Sequence, residues 1–452
     1  MKRILLGLVL FNLSLNTLFA ADISENQNEY QAILAKYIPA DGPGAAVIVS
    51  QNGQVLFEGA AGLANIELNI DLTTESVFRL GSITKQFTAA AIIMLQEQKK
   101  LSIKDDIHKY VPNFPTEGNH VTIEHLLTHT SGIANYTEDQ GLFRKETQVP
   151  TNLDQMLVRF AEHPMSLKTG EAMRYSNTGY VLLGKIIEVA SGQSYLDFIE
   201  QNIFKKLDMK SSRYGGLQII PNRASGYNMS PQGVVNTSHI DMTWPHAAGA
   251  LLSTVGDLDI WFKALRSGKL ISKASYQQMV TPFKLNDGSL SNYGFGLGIG
   301  KLNKYDSISH NGGIPGFATN AVYLPEEDLY VAVLTNLSSG NPNLISNLLV
   351  ATVLDIQLPN FKAVKLNKVK AKSLMGSYKI NNDSEHRFFM EDGKAYTQRD
   401  KGDKYEVFPM SDDSFYYENS LSYFVIKNND KGQQIMNFYF NLSIDPQRAV
   451  KE

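Results

Sequence analysis

Hydrophobic and polar residues alternate near the start of the chain, follow a helical period through its middle, and alternate again towards its end. Apolar runs at Ala45–Val49 and Val55–Phe57 flank Asn52-Gly53, a strong signal for a tight turn, so this segment predicts a β-hairpin. From Ser82 to Lys99, apolar residues recur at helical spacings behind a serine and a threonine, which predicts a long helix.

The pattern up to residue 335 places further helices between strands. Helices are predicted at 121–131, 150–163, 177–190 and around 261–265. Short strands rich in aromatic and β-branched residues are predicted at 293–300, 305–309, 318–324 and 329–335. Because strands stand at both ends of this region, we expect them to share one antiparallel sheet with helices on its faces, which is an α/β sandwich.

The composition changes after residue 356. Residues 357–373 begin with Gln-Leu-Pro-Asn and continue into a lysine-rich stretch, which predicts a linker. Alternating runs rich in Tyr and Phe then predict strands at 387–390, 405–408, 414–417, 423–427 and 435–440. We therefore predict a small all-β domain at 374–452, a barrel or sandwich whose aromatic residues form its core.

The N-terminus has the features of a secretory signal peptide. Two basic residues precede the apolar stretch Ile4–Phe19, and Ala20 and Ala21 offer a cleavage site after either residue. A membrane anchor is the alternative, but the stretch is short for a span and contains polar residues. We therefore predict that residues 1–20 are a signal peptide and that the protein is exported to a bacterial periplasm.

The composition excludes several classes of function. Without cysteine, the chain has no disulfide, no thiol nucleophile and no cysteine ligand for structural zinc. Loss of residues 1–20 removes two basic residues and no acidic one, so the formal charge moves from −3 to −5. This mild acidity without a basic cluster argues against nucleic acid as a partner. No later segment is long and apolar enough to span a membrane, and no cofactor is implied.

Ser82 and Lys85 stand three residues apart at the start of the predicted long helix, so their side chains share one face. A serine hydroxyl becomes nucleophilic when a base lies beside it, and a lysine can be that base if burial lowers its pKa. The helix N-terminus also offers backbone N–H groups to a developing oxyanion. A helix cap with a solvated lysine is the alternative, although this is the one Ser-x-x-Lys in the sequence.

Tyr175 and Asn177 precede the next long helix. A phenol near an ammonium group ionises more easily and can act as a base, and the Asn177 amide can donate to a substrate carbonyl. Asn177 could equally be a helix cap. Because Tyr-x-Asn recurs at Tyr417 and Tyr439, only its position gives this pattern meaning.

His310, Gly312 and Gly313 follow a predicted strand. Paired glycines let a substrate approach the backbone closely, and the N–H group of Gly313 could face an oxyanion. His310 could bind a substrate carboxylate or shuttle a proton. The alternative is a glycine-rich turn with an incidental histidine.

In this order and spacing, the three patterns resemble those of the class C β-lactamase and penicillin-binding-protein-like serine hydrolases, which include D-aminopeptidases and esterases. Segments 78–82, 126–133 and 312–317 also resemble blocks of this family. The likeness covers most of residues 40–340 and implies a β-lactamase-like fold for 21–356, an antiparallel sheet flanked by helices. Residues 374–452 more loosely resemble the lipocalin-like barrel attached to some of these peptidases.

The resemblance implies a role for each residue. Ser82 would attack the carbonyl, Lys85 and Tyr175 would share the acid/base steps, and Asn177 would position the substrate amide. The backbone N–H groups of Ser82 and Gly313 would form the oxyanion hole. We therefore predict a serine hydrolase that forms an acyl-enzyme on Ser82 and cleaves a small amide or ester, such as a peptide with D-residues.

The sequence leaves alternatives open. His310 and Gly312 stand where many β-lactamases have a Lys-Thr-Gly block, and a histidine is only partly charged at neutral pH, so it suits a β-lactam carboxylate less well. A β-lactamase or carboxylesterase remains possible within the enzyme class. A catalytically silent protein that binds cell-wall peptide or assembles partners is the alternative outside it, and the oligomeric state is open.

Four other residues are weaker candidates. His125 and His129 could share a helix face and hold a metal ion, but no further ligand pattern accompanies them, so no metal site is predicted. His246 and Tyr136 could line the pocket or simply pack in its wall.

Overall fold

The computed structural model describes residues 27–139, 141, 145–163 and 165–452, so the predicted signal peptide lies outside the described residues. The chain divides into two compact units. The first contains the described residues up to Gly300 together with Ser307–Leu349, and the second contains Lys301–Asp306 and Val350–Glu452.

A six-stranded sheet forms the centre of the first unit. Its strands are β1 (Ala45–Gln51), β2 (Gln54–Ala61), β3 (Gly298–Leu302), β4 (Tyr305–Ile314), β5 (Phe317–Leu324) and β6 (Leu329–Thr335), in the spatial order β3-β4-β5-β6-β1-β2. The predicted hairpin is confirmed, because β1 pairs antiparallel with β2. On its other side β1 pairs antiparallel with β6, with Ala45 opposite Thr335, so the expected sharing of one sheet by N- and C-terminal strands is also confirmed.

Helices surround this sheet. They are α1 (Thr84–Glu97), α2 (Ile123–Leu127), α3 (Leu153–Phe160), α4 (Asn177–Ser191), α5 (Tyr195–Ile199), α6 (Lys205–Leu207), α7 (His246–Gly249), α8 (Val255–Ser267), α9 (Lys273–Met279) and α10 (Pro342–Val353). Residues 27–37 are also helical. The predicted helices are confirmed, although several are shorter than expected. Among the described residues, no helix has the length and apolar character needed to cross a membrane.

Short ribbons complete the first unit. They are Leu63–Asn65 with Ile70–Asp71, Tyr227–Ser230 with Gly233–Asn236, and a three-stranded sheet of Phe78–Arg79, Leu251–Ser253 and Arg213–Tyr214. The strand predicted at 293–300 is wrong over most of its length, because the sheet strand begins only at Gly298. Gly296 takes a φ of +69°, and a Cβ there would lie 2.6 Å from the Lys85 carbonyl oxygen, so the chain bends against α1 instead.

The long helix α1 is the core of the first unit rather than an amphipathic cover. Every residue from Thr84 to Leu95 is buried. Phe87 stacks on Trp261 of α8 with the ring centroids 3.9 Å apart, and the Trp261 indole N–H donates to the Gln86 side chain at 3.2 Å. Burial on all sides holds this helix, and therefore Lys85 on it, in one place.

A closed barrel forms the second unit. Its strands are β7 (Gly376–Lys379), β8 (Glu385–Glu391), β9 (Lys394–Arg399), β10 (Lys404–Pro409), β11 (Ser414–Tyr417), β12 (Tyr423–Asn428), β13 (Gln434–Tyr439) and β14 (Gln447–Lys451). The predicted small all-β domain is confirmed as a barrel. The predicted linker 357–373 runs into helix α11 (Lys368–Leu374), whose Leu374 belongs to the barrel core.

Aromatic side chains fill the barrel. Phe388, Phe415 and Phe424 are buried, and their ring centroids lie 4.8 to 5.6 Å apart. An eight-stranded barrel has an interior just wide enough to be filled by side chains. The prediction that the aromatic runs form a barrel core is confirmed.

Candidate active site

Ser82 lies in a 3₁₀ turn, Gly81–Ile83, that leads directly into α1. Gly81 takes a φ of +54°, and a Cβ at this position would lie 2.9 Å from the backbone nitrogen of Gly313. Only glycine allows this backbone contact in this conformation. The turn therefore packs directly against β4, which brings Ser82 beside Gly313.

Lys85 is the buried partner of Ser82. Its Nζ donates to the Ser82 Oγ at 3.1 Å, to the Asn177 Oδ1 at 2.8 Å and to the Ala248 carbonyl at 2.8 Å. The side chain is 0% exposed, and none of these three acceptors carries a formal charge. Burial lowers the pKa of Lys85 well below its ordinary value. The geometry thus brings a serine hydroxyl to an amine that loses its proton readily.

Asn177 fixes the other side of Lys85. It is the first residue of α4, and its Nδ2 donates to the Thr137 Oγ1 at 3.2 Å while its backbone N–H donates to the Asn135 Oδ1 at 3.0 Å. The cap of α4 is Ser176, whose Oγ accepts from the Gly179 N–H at 3.2 Å. The alternative of Asn177 as the helix cap is therefore wrong, and its side chain faces Lys85 instead.

Tyr175 lies over Lys85. The Lys85 Nζ is 4.7 Å from the centre of the phenol ring. Burial raises the pKa of Tyr175 above its ordinary value, although a hydrogen bond with Ser82 opposes the rise. The same burial therefore shifts the two pKa values in opposite directions. Lys85 releases a proton more easily, and Tyr175 holds its proton more tightly.

His310 lies inside strand β4 and not in a glycine-rich turn, so the turn interpretation is wrong. Its Nδ1 is 2.6 Å from the Asn311 carbonyl oxygen and therefore carries the proton, while its Nε2 accepts from the Tyr293 hydroxyl at 2.7 Å. Burial and the nearby Lys85 lower the pKa of His310 to about 3. At neutral pH the ring is uncharged, and the protein occupies both of its nitrogens.

Gly312 and Gly313 belong to the same strand and serve different purposes. A Cβ on Gly312 would lie 2.0 Å from the Leu80 carbonyl oxygen and 2.1 Å from the Thr319 Oγ1, so this position has no room for a side chain. A Cβ on Gly313 would meet no atom within 4 Å. Gly312 therefore lets β4 approach the turn that carries Ser82, and Gly313 borders open space.

That space is a cavity of about 190 Å³. Its lining residues carry no formal charge: Gly81, Ser82, Tyr136, Thr137, Asn177, Ile240, Pro245, Ala248, Gly249, Gly313, Ile314 and Pro315. Larger clefts of about 410 and 480 Å³ lie elsewhere on the surface, and Ser82 lines neither. The cavity suits a small neutral group whose carbonyl reaches Ser82.

The weaker candidates fall outside the Ser82–Lys85 contact. Tyr136 lines the cavity, whereas His246 is half-buried and its ring lies against Gly184 of α4. The Nδ1 atoms of His125 and His129 accept from two different backbone N–H groups, those of Thr122 and Ser176 respectively. Within the described part of the chain, no group of three or more His, Asp or Glu residues could hold a metal ion.

Sequence reasoning missed two polar groups of the site. The Ala248 carbonyl completes the Lys85 contacts, and a backbone carbonyl leaves no signal in the side-chain pattern. Thr137 holds the Asn177 amide. Its place shortly after the family-like segment 126–133 was the one available indication.

Comparisons with known proteins agree with this geometry. The sequence profile of the Beta-lactamase family matches residues 33–353. Penicillin-binding protein 4* of Bacillus subtilis is 29% identical over 395 residues, which cover 82% of this chain and 87% of that protein. An octameric penicillin-binding protein homologue from Pyrococcus abyssi superposes with a TM-score of 0.66 at 27% identity, covering 95% of this chain and 100% of the other. A D-stereospecific amidohydrolase from Streptomyces superposes with a TM-score of 0.63 at 26% identity, covering 73% and 99%.

Proposed function

This chain belongs to the beta-lactamase family, and on that premise we propose that it is a serine hydrolase that forms an acyl-enzyme on Ser82. The observation that carries the proposal is the 3.1 Å contact between the Ser82 Oγ and the Nζ of a fully buried lysine. A serine needs such a base to attack a carbonyl, and a lysine needs such burial to be that base.

The proposed reaction begins with transfer of the Ser82 hydroxyl proton to neutral Lys85 while the Oγ bonds to the substrate carbonyl carbon. Negative charge develops on the carbonyl oxygen beside the backbone of Ser82 and Gly313, where N–H groups would stabilise it. Tyr175, whose pKa is raised by burial, acts as the proton donor to the leaving amine or alcohol. Water then attacks the acyl-enzyme by the reverse proton transfers and releases the acid.

We propose a small uncharged amide or ester, such as an amide of a D-residue, as the substrate. The cavity lining carries no formal charge, and the neutral His310 has no free nitrogen for a carboxylate. A structural neighbour in Streptomyces is a D-stereospecific amidohydrolase, which supports an amide with D-stereochemistry. The same features argue against a β-lactam, whose carboxylate would need a positive partner here.

The test is the intact mass of the protein after incubation with a fluorophosphonate. We expect one adduct on the wild type and none on Ser82→Ala. Ser102→Ala is the matched control, because this exposed hydroxyl accepts from the Lys104 backbone N–H and, among the described residues, has no hydrogen bond with a lysine side chain. A folded wild type that stays unlabelled would contradict the hydrolase and favour a silent binding protein.

Substrate class is tested next with the two enantiomers of an amino-acid amide, a neutral aryl ester and a chromogenic cephalosporin. We expect turnover of the ester and of one amide enantiomer, the D-form, and slow turnover of the cephalosporin. Faster hydrolysis of the cephalosporin than of both neutral substrates would contradict the assignment and make the protein a β-lactamase.

We also propose export and removal of residues 1–20, on the strength of the basic, apolar and small-residue segments at the N-terminus. The test is the N-terminal mass of the protein recovered from the periplasmic fraction of a bacterial host. A mature chain beginning at Ala21 or Asp22 is the expected result. A full-length chain retained with the membranes would contradict the proposal.

A further inference from the structure

His129 lies two residues beyond the end of helix α2, in a backbone conformation that few residues with a side chain adopt. The Thr128 N–H bonds back to the Glu124 carbonyl at 3.0 Å, and the Thr130 N–H bonds back to the His125 carbonyl at 2.9 Å. Between them His129 takes a φ of +58°, the left-handed position that usually holds glycine or asparagine. Histidine is among the residues enriched in this conformation, so its role is indicated by the contacts of its ring and not by its backbone.

His129 contacts Tyr175 from three directions. Its carbonyl oxygen accepts from the Arg174 N–H at 2.8 Å, and its Nδ1 accepts from the Ser176 N–H at 3.1 Å. Its ring centre lies 4.2 Å from the ring centre of Tyr175. His129 therefore forms a hydrogen bond with the residue on each side of Tyr175 and packs on the phenol ring itself.

The protonation state of the His129 ring suits its hydrogen bond from the Ser176 N–H. His129 is 1% exposed, and burial, with Lys85 and His310 nearby, lowers its pKa well below the ordinary value. A neutral ring that accepts at Nδ1 carries its proton on Nε2, and Nε2 has no hydrogen-bond partner among the described residues. The tautomer is thus set by the Ser176 amide and by no other polar contact.

We propose that His129 is a positioning residue for Tyr175, which holds the phenol hydroxyl at Ser82 by fixing the backbone on either side of it. The inference rests on the proposed function, in which Tyr175 transfers protons at Ser82. His129 does not line the cavity, so it acts through Tyr175 and not on the substrate.

Two substitutions separate positioning from helix capping. Glycine at position 129 suits the left-handed conformation but removes the acceptor, and asparagine suits the conformation and keeps an oxygen near the place of Nδ1. We expect the rate constant for labelling Ser82 at saturating fluorophosphonate to fall about 100-fold in His129→Gly, the loss typical of a catalytic group displaced by about 1 Å. We expect His129→Asn to recover most of that loss, with the half-saturating probe concentration unchanged in both.

His125→Gly is the matched control. His125 lies in the same helix, where its Nδ1 accepts from the Thr122 N–H at 3.1 Å and completes the helix start. This variant loosens α2 without touching Tyr175, so we expect lower thermal stability and nearly normal labelling. If it loses as much labelling as His129→Gly, or if asparagine rescues nothing, the effect comes from the helix and the proposal is wrong.

Hydrogen exchange of the Ser176 amide tests the inference without activity. We expect strong protection in the wild type and in His129→Asn, and fast exchange in His129→Gly. If the wild type is never labelled but its Ser176 amide shows this pattern of exchange, the proposed function fails while the role of His129 in holding the backbone around Tyr175 stands. Equal exchange in wild type and His129→Gly, or equal labelling rates, would overturn the inference itself.

Discussion

Replacing Lys85 by methionine separates what this side chain does for catalysis from what it does to stability. Methionine has nearly the same length, so the cavity left behind is small, but the amine and its three hydrogen bonds to Ser82, Asn177 and Ala248 disappear. Without the base, we expect labelling of Ser82 to fall by at least about 100-fold, the low end of what general-base catalysis contributes.

The same substitution should stabilise the protein at neutral pH. In the proposed mechanism, buried Lys85 is neutral at pH 7, and removing a proton from a lysine of ordinary pKa costs about 4–5 kcal/mol at that pH. A neutral amine donates to the Asn177 and Ala248 oxygens and accepts from the Ser82 hydroxyl, and leaving these three groups without that partner costs about 1 kcal/mol each. The methionine variant should therefore be more stable by about 1–2 kcal/mol, a rise of a few degrees in Tm.

The difference must also depend on pH. Because the folded-state pKa of Lys85 is lowered, the unfolded chain binds a proton that the folded one does not. The stability of the wild type therefore rises with pH by about 1.4 kcal/mol per unit until the ordinary pKa near 10.4, and is lost again as the pH falls. The methionine variant lacks this dependence, so the two stabilities should cross at about pH 8.

Thermal or urea unfolding of the wild type and of Lys85→Met between pH 6 and 9 measures how their difference in stability changes with pH. Lys100→Met, at an exposed position just beyond α1, is the control and should show no crossing. If Lys85→Met is less stable than the wild type at pH 6 to 7, or if the difference does not change with pH, then Lys85 is not a desolvated amine and the reasoning fails.

Three further outcomes follow from the geometry. Gly312→Ala should destabilise the protein by about 2–3 kcal/mol in urea unfolding, since its Cβ would collide with the Leu80 carbonyl, whereas Gly313→Ala should be nearly neutral; equal losses would contradict the packing. His310, with a pKa of about 3, should show the nitrogen chemical shifts of a neutral imidazole from pH 5 to 8, and a titration in that range would refute its bonding pattern. Asn336→Ala should cost about 3 kcal/mol in thermal unfolding, because this buried amide makes three hydrogen bonds; a loss below about 1 kcal/mol would show that they add little.

The contact between Ser82 and Lys85 was accessible from the sequence because it depends on helical geometry alone. Residues three apart on a helix share a face, so Ser82 and Lys85 could be placed together without knowing the fold. The neighbourhood of Asn177 was not accessible in the same way. Its partners Thr137 and Asn135 come from a loop whose path is set by packing of the whole unit.

The glycines of β4 show a different limit. Gly312 looks like a turn residue in its local sequence, yet it continues a paired strand opposite Thr319. The reason for glycine is the carbonyl of Leu80, which is distant in sequence and close only in the folded chain. Local patterns indicate that a residue is unusual, and only tertiary contact says why.

The barrel strands that sequence analysis missed share a physical cause. Strands β7, β9 and β14 bury mostly small or polar side chains or a single ring, such as Ala395, Thr397, Ala449 and Tyr378. Strands recognised from the pattern bury large residues such as Phe415 and Phe424. In a closed barrel, small inward residues leave room for large ones opposite. The inward positions of the strands with small residues therefore give only a weak hydrophobic signal in the sequence.

The pairing of β1 with β6 determines when this protein can fold during its synthesis. Ala45 meets Thr335, so strand β1, already paired with β2 on one side, lacks its second neighbour until nearly three quarters of the chain has been made. At about 5–20 residues per second, the apolar strand Ala45–Val49 waits about 15–60 seconds for that partner. During that time one edge of this apolar strand keeps unpaired backbone N–H and C=O groups, so the growing chain is open to pairing with other strands.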